Sequence, residues 1–368
     1  MAERRALSAQ WLPLLYGARA PQTAMERWGL TALGGVGALY GAVMQGRNVA
    51  YDRRWLTRYR CPAPVISVGN LTSGGVGKTP LCAWLADWLL AQGRRPALIS
   101  RGHGGLCRES VCVISDGEQM VMRPPEAADE AALLARHAPR AVTLTAPKRA
   151  LAMAFAVEEL GADVVVLDDA FQHRAAQRDL DIVLMDARQP FGNGRILPGG
   201  VLREPVSGLR RAHLGILTRA DDAAAGDRAA QNIADIAPEL PVLRARHQAD
   251  GWRNAQGARV SAPQRAAAFC AIARPDSFQR SLQQAGVDVL SLNAFPDHHI
   301  FTQEELMELA QRAQAQGAEA LACTQKDLIK IAHPERLPLP VKALAIGMAF
   351  ADAAPLERMI SELLTQWA

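Results

Sequence analysis

Residues Val65 to Pro80 read VISVGNLTSGGVGKTP, and this stretch decides the fold. A short apolar, β-branched run leads into a glycine-rich loop that ends in Gly77-Lys78-Thr79. A helical pattern follows, with Leu81, Trp84, Leu85 and Trp88 at helical spacing. Strand, loop and helix in that order are the setting of the phosphate loop G-x-x-x-x-G-K-[ST]. Thr72 replaces the first glycine of that pattern, while Gly74 and Gly75 lie inside the loop. Backbone N–H groups of such a loop point inward at phosphate oxygens, and the helix N-terminus adds its dipole. The candidate nucleotide-binding residues are Thr72, Ser73, Gly74, Gly75, Val76, Gly77, Lys78 and Thr79. Lys78 would reach the β- and γ-phosphates of ATP, and the Thr79 hydroxyl would ligate Mg²⁺.

Further runs of the same kind surround this one. Arg95–Ser100, Ala141–Thr145, Asp163–Asp169, Asp181–Asp186 and His213–Thr218 are short, continuous and apolar. Such runs predict strands buried on both faces, as in a parallel sheet. Helical stretches such as Lys148–Leu160 separate several of them, so the fold class is α/β, a phosphate-loop NTPase-like sheet with helices on both faces. From Pro238 to Pro263 the sequence turns polar and alternating, with a turn expected at Asp250–Gly251. This predicts a two-stranded connector to a second, smaller α/β domain. The expected division is 1–60, an N-terminal membrane-associated segment; 61–237, the phosphate-loop domain; 238–263, the linker; and 264–368, the C-terminal domain.

With 368 residues, 49% of them hydrophobic, the chain can bury sizeable cores. A net charge of +4 neither demands nor excludes an anionic partner. Lysine is scarce: five of the 41 basic residues, and Lys78 is one. The six cysteines include no C-x-x-C pair and are expected to be reduced thiols. Trp28–Met44 is uncharged and apolar, yet shorter than the ~20 residues that span a bilayer. Arg53, Arg54, Arg58 and Arg60 follow it, an arrangement suited to a bilayer surface with anionic headgroups. A buried glycine-rich helix is the competing reading.

Several other motifs carry chemistry. Asp168 and Asp169 close an apolar run, where a carboxylate beside a phosphate loop can hold Mg²⁺. Gln172 and His173 follow and could orient phosphate or acceptor. Arg101, in SRGHGG, sits after a strand, at the sheet edge where ligands bind. Asp129 begins a helix in ADEAALLA, a place that the helix dipole alone would favour for an acid. FPDHHIF puts Asp297, His298 and His299 before a helix, where they could ligate metal, cap the helix or transfer a proton. FGNGRILPGGVLREP is a long loop that carries Arg195, Arg203 and Glu204.

Taken in order, SVGNLTSGGVGKTP, SRGHGG, DDAFQHR, FGNGRILPGGVLREP, AFCAIARPDSF, FPDHHIF and TQKD closely resemble the tetraacyldisaccharide 4'-kinase family of Gram-negative bacteria. The resemblance runs over nearly the whole chain. It implies transfer of the γ-phosphate of ATP, with Mg²⁺, to the 4'-hydroxyl of a lipid disaccharide 1-phosphate. The expected setting is the cytoplasmic face of the inner membrane, peripheral or with a single N-terminal anchor, and with no nucleic-acid partner. It further implies that Asp129 and His298 form a catalytic pair and that Asp168 and Asp169 are the magnesium-side acids. Gln172, His173 and Glu204 match further active-site positions. His103 stands where the family has Tyr, Ala128 and Ala131 flank the acids in place of Gly and Pro, and Ala271 replaces a Gly. The alternative is a membrane-associated switch ATPase of the septum-positioning or partitioning type. Its loop needs a lysine before the two glycines, and this chain has Ser73 there.

Overall fold

The computed structural model describes residues 11–272, 275–296 and 299–367. The chain enters through helix α1 (Ala24–Asp52), then β1 (Val65–Asn70) and α2 (Lys78–Ala91). β2 (Pro96–Ser100), β3 (Cys112–Asp116), α3 (Asp129–His137), β4 (Val142–Thr145), α4 (Arg149–Glu158) and β5 (Val164–Asp168) follow. β6 (Leu180–Asp186), β7 (Leu214–Thr218) and α5 (Ala223–Ala234) complete the first half. β8 (Val242–Arg253) and β9 (Arg259–Val260) lead to the second half: β10 (Arg265–Cys270), α6 (Pro275–Gln284), β11 (Asp288–Ala294) and α7 (Gln303–Ala315). It ends with β12 (Ala320–Thr324), α8 (Gln325–Leu328), β13 (Val341–Phe350) and α9 (Ala354–Gln366).

The 13 strands form one sheet in the order β11-β10-β12-β13-β8-β7-β6-β1-β5-β2-β4-β3, with β9 paired on β8. Strand alternation divides each run between two cores. Val164 and Val166 of β5 pack with Leu81, Leu85 and Leu89 of α2 on one face. Val165 and Leu167 pack with Ala152, Met153 and Ala156 of α4 on the other. The halves join through β8. Its first residues, Val242–Arg244, pair parallel with β7, and Ala245–Arg253 pair antiparallel with β13.

Two expectations are corrected here. The turn expected at Asp250–Gly251 lies inside β8. The pairing with β13 shifts register there, and Gly251 takes a left-handed φ of +78°, so these residues bulge without reversing the chain. The reversal comes at Asn254–Gly257, where the Gly257 N–H donates to the Asn254 carbonyl at 2.9 Å. Cys107 and Cys112 are joined by a disulfide rather than standing as thiols, because the β2–β3 excursion folds back on itself. The other four cysteines are free and buried. The antiparallel edge strand β3 was not among the runs read as strands.

Helix α1 presents two different faces. Thr23 caps it, accepting from the Glu26 N–H at 3.1 Å, and the Glu26 carboxylate bonds back to the Thr23 N–H. Its glycine face lies against the 193–200 loop. A Cβ on Gly37 would stand 2.6 Å from the Ile196 carbonyl oxygen, so only glycine lets the two backbones approach. The opposite face exposes Met25, Trp28, Val36, Leu39 and Val43, with Trp28 76% and Leu39 70% exposed. No helix among the described residues is long and apolar enough to cross a membrane.

Gly37 and Gly35 give a paired test of this docking. Gly37→Ala is expected to destabilise by about 1–3 kcal/mol through overpacking. Gly35→Ala has open space around its Cβ and should be neutral or stabilising by up to ~1 kcal/mol. Equal thermal shifts for the two would show that the glycine face does not bear on the loop.

Candidate active site

The phosphate loop is held open from outside. Ser73 donates its N–H to Val201 at 2.7 Å, and Arg203 donates its N–H to Leu71 at 2.8 Å. The Tyr16 hydroxyl donates to the Ser73 carbonyl at 3.0 Å, and Arg219 to the Gly75 carbonyl at 2.8 Å. Gly77 takes a left-handed φ of +94° with the His247 ring against it, so a side chain is excluded there twice over. Gly77 is also the N-cap of α2, and no side chain caps this helix. Its first N–H groups therefore face the loop, ready for an anion. Val76 is buried beneath, while Gly74 and Gly75 are exposed.

Lys78 points across the loop at the end of β5. Its Nζ donates to Asn70 Oδ1 at 3.3 Å and lies 3.6 Å from Asp169 Oδ1. The same Asp169 oxygen accepts from Arg203 at 2.7 Å. Burial pulls the Asp169 carboxyl upward, but Lys78 and Arg203 together bring it below the ordinary value. Asp169 has φ +50°, a left-handed turn that ends the strand. Its neighbour Asp168 is treated oppositely. Only 2% exposed, its Oδ1 has no hydrogen-bond partner. Burial, then the charge of Glu130, push its carboxyl up to about 7.

Beside these acids opens a cleft of about 660 Å³. Arg47, Arg101, Arg149 and Arg203 line it, with His103, Glu130 and His173. Arg149 is buried and comes within 3.5 Å of the Asp169 carbonyl. Burial and then Arg149, Arg178, Arg47 and Arg101 push the His173 ring down to about 4, so it is neutral at neutral pH. Tyr40 and Met44 of α1 form another part of the wall. Gln172 links the floor to the frame, donating to the Asn70 carbonyl at 3.0 Å and to Glu204 at 2.9 Å. Glu204 is fully buried and accepts from Asn48, Gln172 and Arg211 at 2.9–3.0 Å. It stands behind the cleft rather than in its lining.

Asp129 is the first residue of α3, preceded by the buried, extended Ala128 and followed two residues on, across the helix, by the fully buried Ala131. These departures from the family pattern leave the acid at the helix start. Asp129 borders a cavity of about 320 Å³ with His103 and Lys330, whose Nζ is 3.5 Å away. His298 lies outside the described residues, as does Asp297. Next to them, His299 stacks on Phe295 and meets Glu305 at 3.0 Å. Among the described residues no cluster of three or more His, Cys, Asp or Glu forms a ready-made metal cage.

Sequence reasoning did not single out Asn70, Arg47, Arg149 or Lys330. Arg149 had a signal, since it opens the helix after a parallel strand, at the ligand-binding edge. Lys330 had one in the scarcity of lysine. Asn70 had one in its place at the end of β1, just before the loop and eight residues from Lys78, whereas Arg47 carried none, because its partner, the Gln172 carbonyl, lies 125 residues along the chain.

The profile of the family described as tetraacyldisaccharide-1-P 4'-kinase matches residues 30–365. The chain is 39% identical over 337 residues to a tetraacyldisaccharide 4'-kinase of Syntrophotalea carbinolica, covering 90% of this chain and 91% of that one. It is 43% identical over 300 residues to one of Anaeromyxobacter sp. strain Fw109-5, covering 80% of each. Among solved structures it is similar to LpxK from Aquifex aeolicus in complex with ATP. That match has a TM-score of 0.77 and 28% identity, over 91% of this chain and 99% of the other. These matches do not favour the partitioning-type switch ATPase.

Asp168 supplies a test of the site's electrostatics. Its folded-state value near 7 lies above the ordinary 3.8, so the folded protein holds a proton that the unfolded chain has lost. That contribution is intact below pH 3.8 and is lost as pH rises to about 7 and beyond. With chelator and no nucleotide, Asp168→Asn should melt higher than the parent at pH 8, with the gap closing toward pH 4. A gap that does not change with pH would mean that the carboxyl ionises normally.

Proposed function

The chain belongs to the tetraacyldisaccharide-1-phosphate 4'-kinase family, and from that premise we propose how its cleft performs the reaction. The reaction is ATP-dependent phosphorylation of the 4'-hydroxyl of a tetraacyldisaccharide 1-phosphate, a step of lipid A biosynthesis. The observation that carries the mechanism is the shared cleft. Its floor holds the two acids at the end of β5 beside Lys78, and α1, with its apolar face, forms part of its wall.

ATP lies with its phosphates in the loop, where the N–H groups of residues 74–79 and the start of α2 face them. Lys78 moves from Asp169 to the transferred phosphate and stabilises the charge that develops there. Mg²⁺ fits the acids. Asp168 offers a buried oxygen with no partner, and a hard cation takes such oxygens together with a hydroxyl and phosphates rather than in an all-protein cage. Thr79, Asp168 and Asp169 are the residues that would hold it, and it would neutralise phosphate charge when bound. The disaccharide enters the 660 Å³ cleft, a size ordinary for a ligand site. Arg47, Arg101 and Arg149 face its phosphate, and the neutral His173 can donate or accept a hydrogen bond without repelling them. Asp129, with His298, takes the proton of the acceptor hydroxyl.

The acyl chains and the membrane fit the outer face of α1. Met25, Trp28, Val36, Leu39 and Val43 form one exposed apolar stripe, while Tyr40 reaches the cleft from the same helix. Arg53 and Arg58 follow it, and Trp55 lies beneath the Arg53 guanidinium. This arrangement suits a peripheral enzyme on the cytoplasmic face of the inner membrane that lifts the sugar head of its substrate into the cleft.

Two experiments test this reading. Purified protein with Mg²⁺, γ-labelled ATP and a lipid disaccharide 1-phosphate should label the lipid. Lys78→Ala and Asp168→Ala should each lower kcat by about 10²–10³ while folding normally. Near-parental turnover by either variant removes the phosphate-loop mechanism. Trp28→Glu/Leu39→Glu should weaken co-sedimentation with anionic vesicles and raise KM for the lipid but not for ATP. Unchanged vesicle binding would assign the stripe to something other than the membrane.

A further inference from the structure

Lys330 is one of five lysines in the chain, and its side chain is only 3% exposed. It follows α8, in the half of the molecule that does not carry the phosphate loop. Its ammonium lies 3.4 Å from Asp327 Oδ1 and 3.5 Å from Asp129 Oδ2, and it donates to the His299 carbonyl at 3.4 Å. The Phe301 ring covers it at 6.0 Å. The two carboxylates come from different halves of the chain. Asp327 is fully buried and fixed, since its Oδ2 accepts from the Thr324 hydroxyl at 2.6 Å and from the Ala271 N–H at 3.2 Å. Asp129 is 20% exposed and borders a cavity.

A lysine paired with Asp327 alone would be a closed, neutral pair. With Asp129 added, the ammonium joins carboxylates from the two halves of the chain, and the more exposed carboxylate is the one that borders the cavity. The contact to His299 also fixes the backbone at the residue that follows His298. We propose that Lys330 is a positioning residue for phosphoryl transfer, holding the Asp129 carboxylate against the second half so that it meets the acceptor hydroxyl at a fixed place. The inference rests on reading Asp129 as the proton acceptor. Its energetic basis is geometric: a misplacement of about 1 Å can lower a rate by roughly 10²-fold.

Removing Lys330 alone strands a buried charge on Asp327, which is strongly destabilising. The informative protein is therefore Lys330→Met/Asp327→Asn, which removes the ammonium and the buried charge it balances together. We expect Lys330→Met to melt well below the parent and the double variant to recover the parent's Tm. The recovered double variant should still show kcat about 10²-fold low, with KM for ATP unchanged. Adding Asp129→Asn to it should cost little more, because the two changes disable one unit. A double variant with parental kcat overturns the proposal and leaves Lys330 as a neutraliser of Asp327. Losses that multiply with Asp129→Asn overturn it as well, since Lys330 would then act elsewhere. An Asp129→Asn single variant with parental kcat instead removes the reading of Asp129 itself, whatever Lys330 does.

Discussion

Two adjacent carboxylates at the end of one buried strand set the terms for the site around them. Two buried acids side by side cannot both ionise without nearby cations. The fold treats them unequally. Asp169 turns out of β5 in a left-handed conformation and meets Lys78 and Arg203. Asp168 stays in the strand with a bare oxygen and a carboxyl raised to about 7. The frame around them follows from this division. Arg203 reaches Asp169 only because the 193–205 loop crosses over the phosphate loop, and the hydrogen bonds of Ser73 and Leu71 hold that loop in place. The bare Asp168 oxygen is the feature on which the proposed magnesium site rests.

The same loop couples the site to α1. Glycines on one face of the helix let it lie against Ile196, and Asn48 near its end donates to the buried Glu204. Glu204 then holds Gln172, and Gln172 holds the end of β1. A continuous set of contacts thus runs from a helix with an apolar outer face to the strand that feeds the phosphate loop. In the proposed function, the outer face of this helix meets the lipid while its inner side shapes the sugar site.

Much of this was legible in the sequence because it is local. The strand, loop and helix at 65–91 form within one stretch, and Gly77 and Lys78 stand at the junction of loop and helix wherever that stretch is placed. Continuous β-branched runs announced the buried strands, since a strand covered on both faces has no polar side to show. The acids of β5 were legible from their position at a strand end. The two-faced character of α1 was half legible: the apolar composition of Trp28–Met44 could be read, but not which residues faced out. The reduced state expected for Cys107 and Cys112 failed because the loop that joins them has no sequence signal for its path.

What only the tertiary structure decided concerns partners far apart in the chain. β8 reads as a polar connector because it pairs parallel with one half and antiparallel with the other, and only three-dimensional pairing shows that it makes one sheet of both. Glu204, read as matching an active-site position, is fully buried, with partners 156, 32 and 7 residues away. Arg149 and Lys330 meet acids from other segments, and Arg47 meets the Gln172 carbonyl 125 residues away. The sequence by itself determined most of the elements and the phosphate loop, because each is written in short-range pattern, and the order of its motifs carried the resemblance from which the reaction follows. The tertiary structure determined which charges meet and which stay bare, because in a buried site a carboxylate's state depends on the distances to its neighbours, and those distances exist only once the chain has folded.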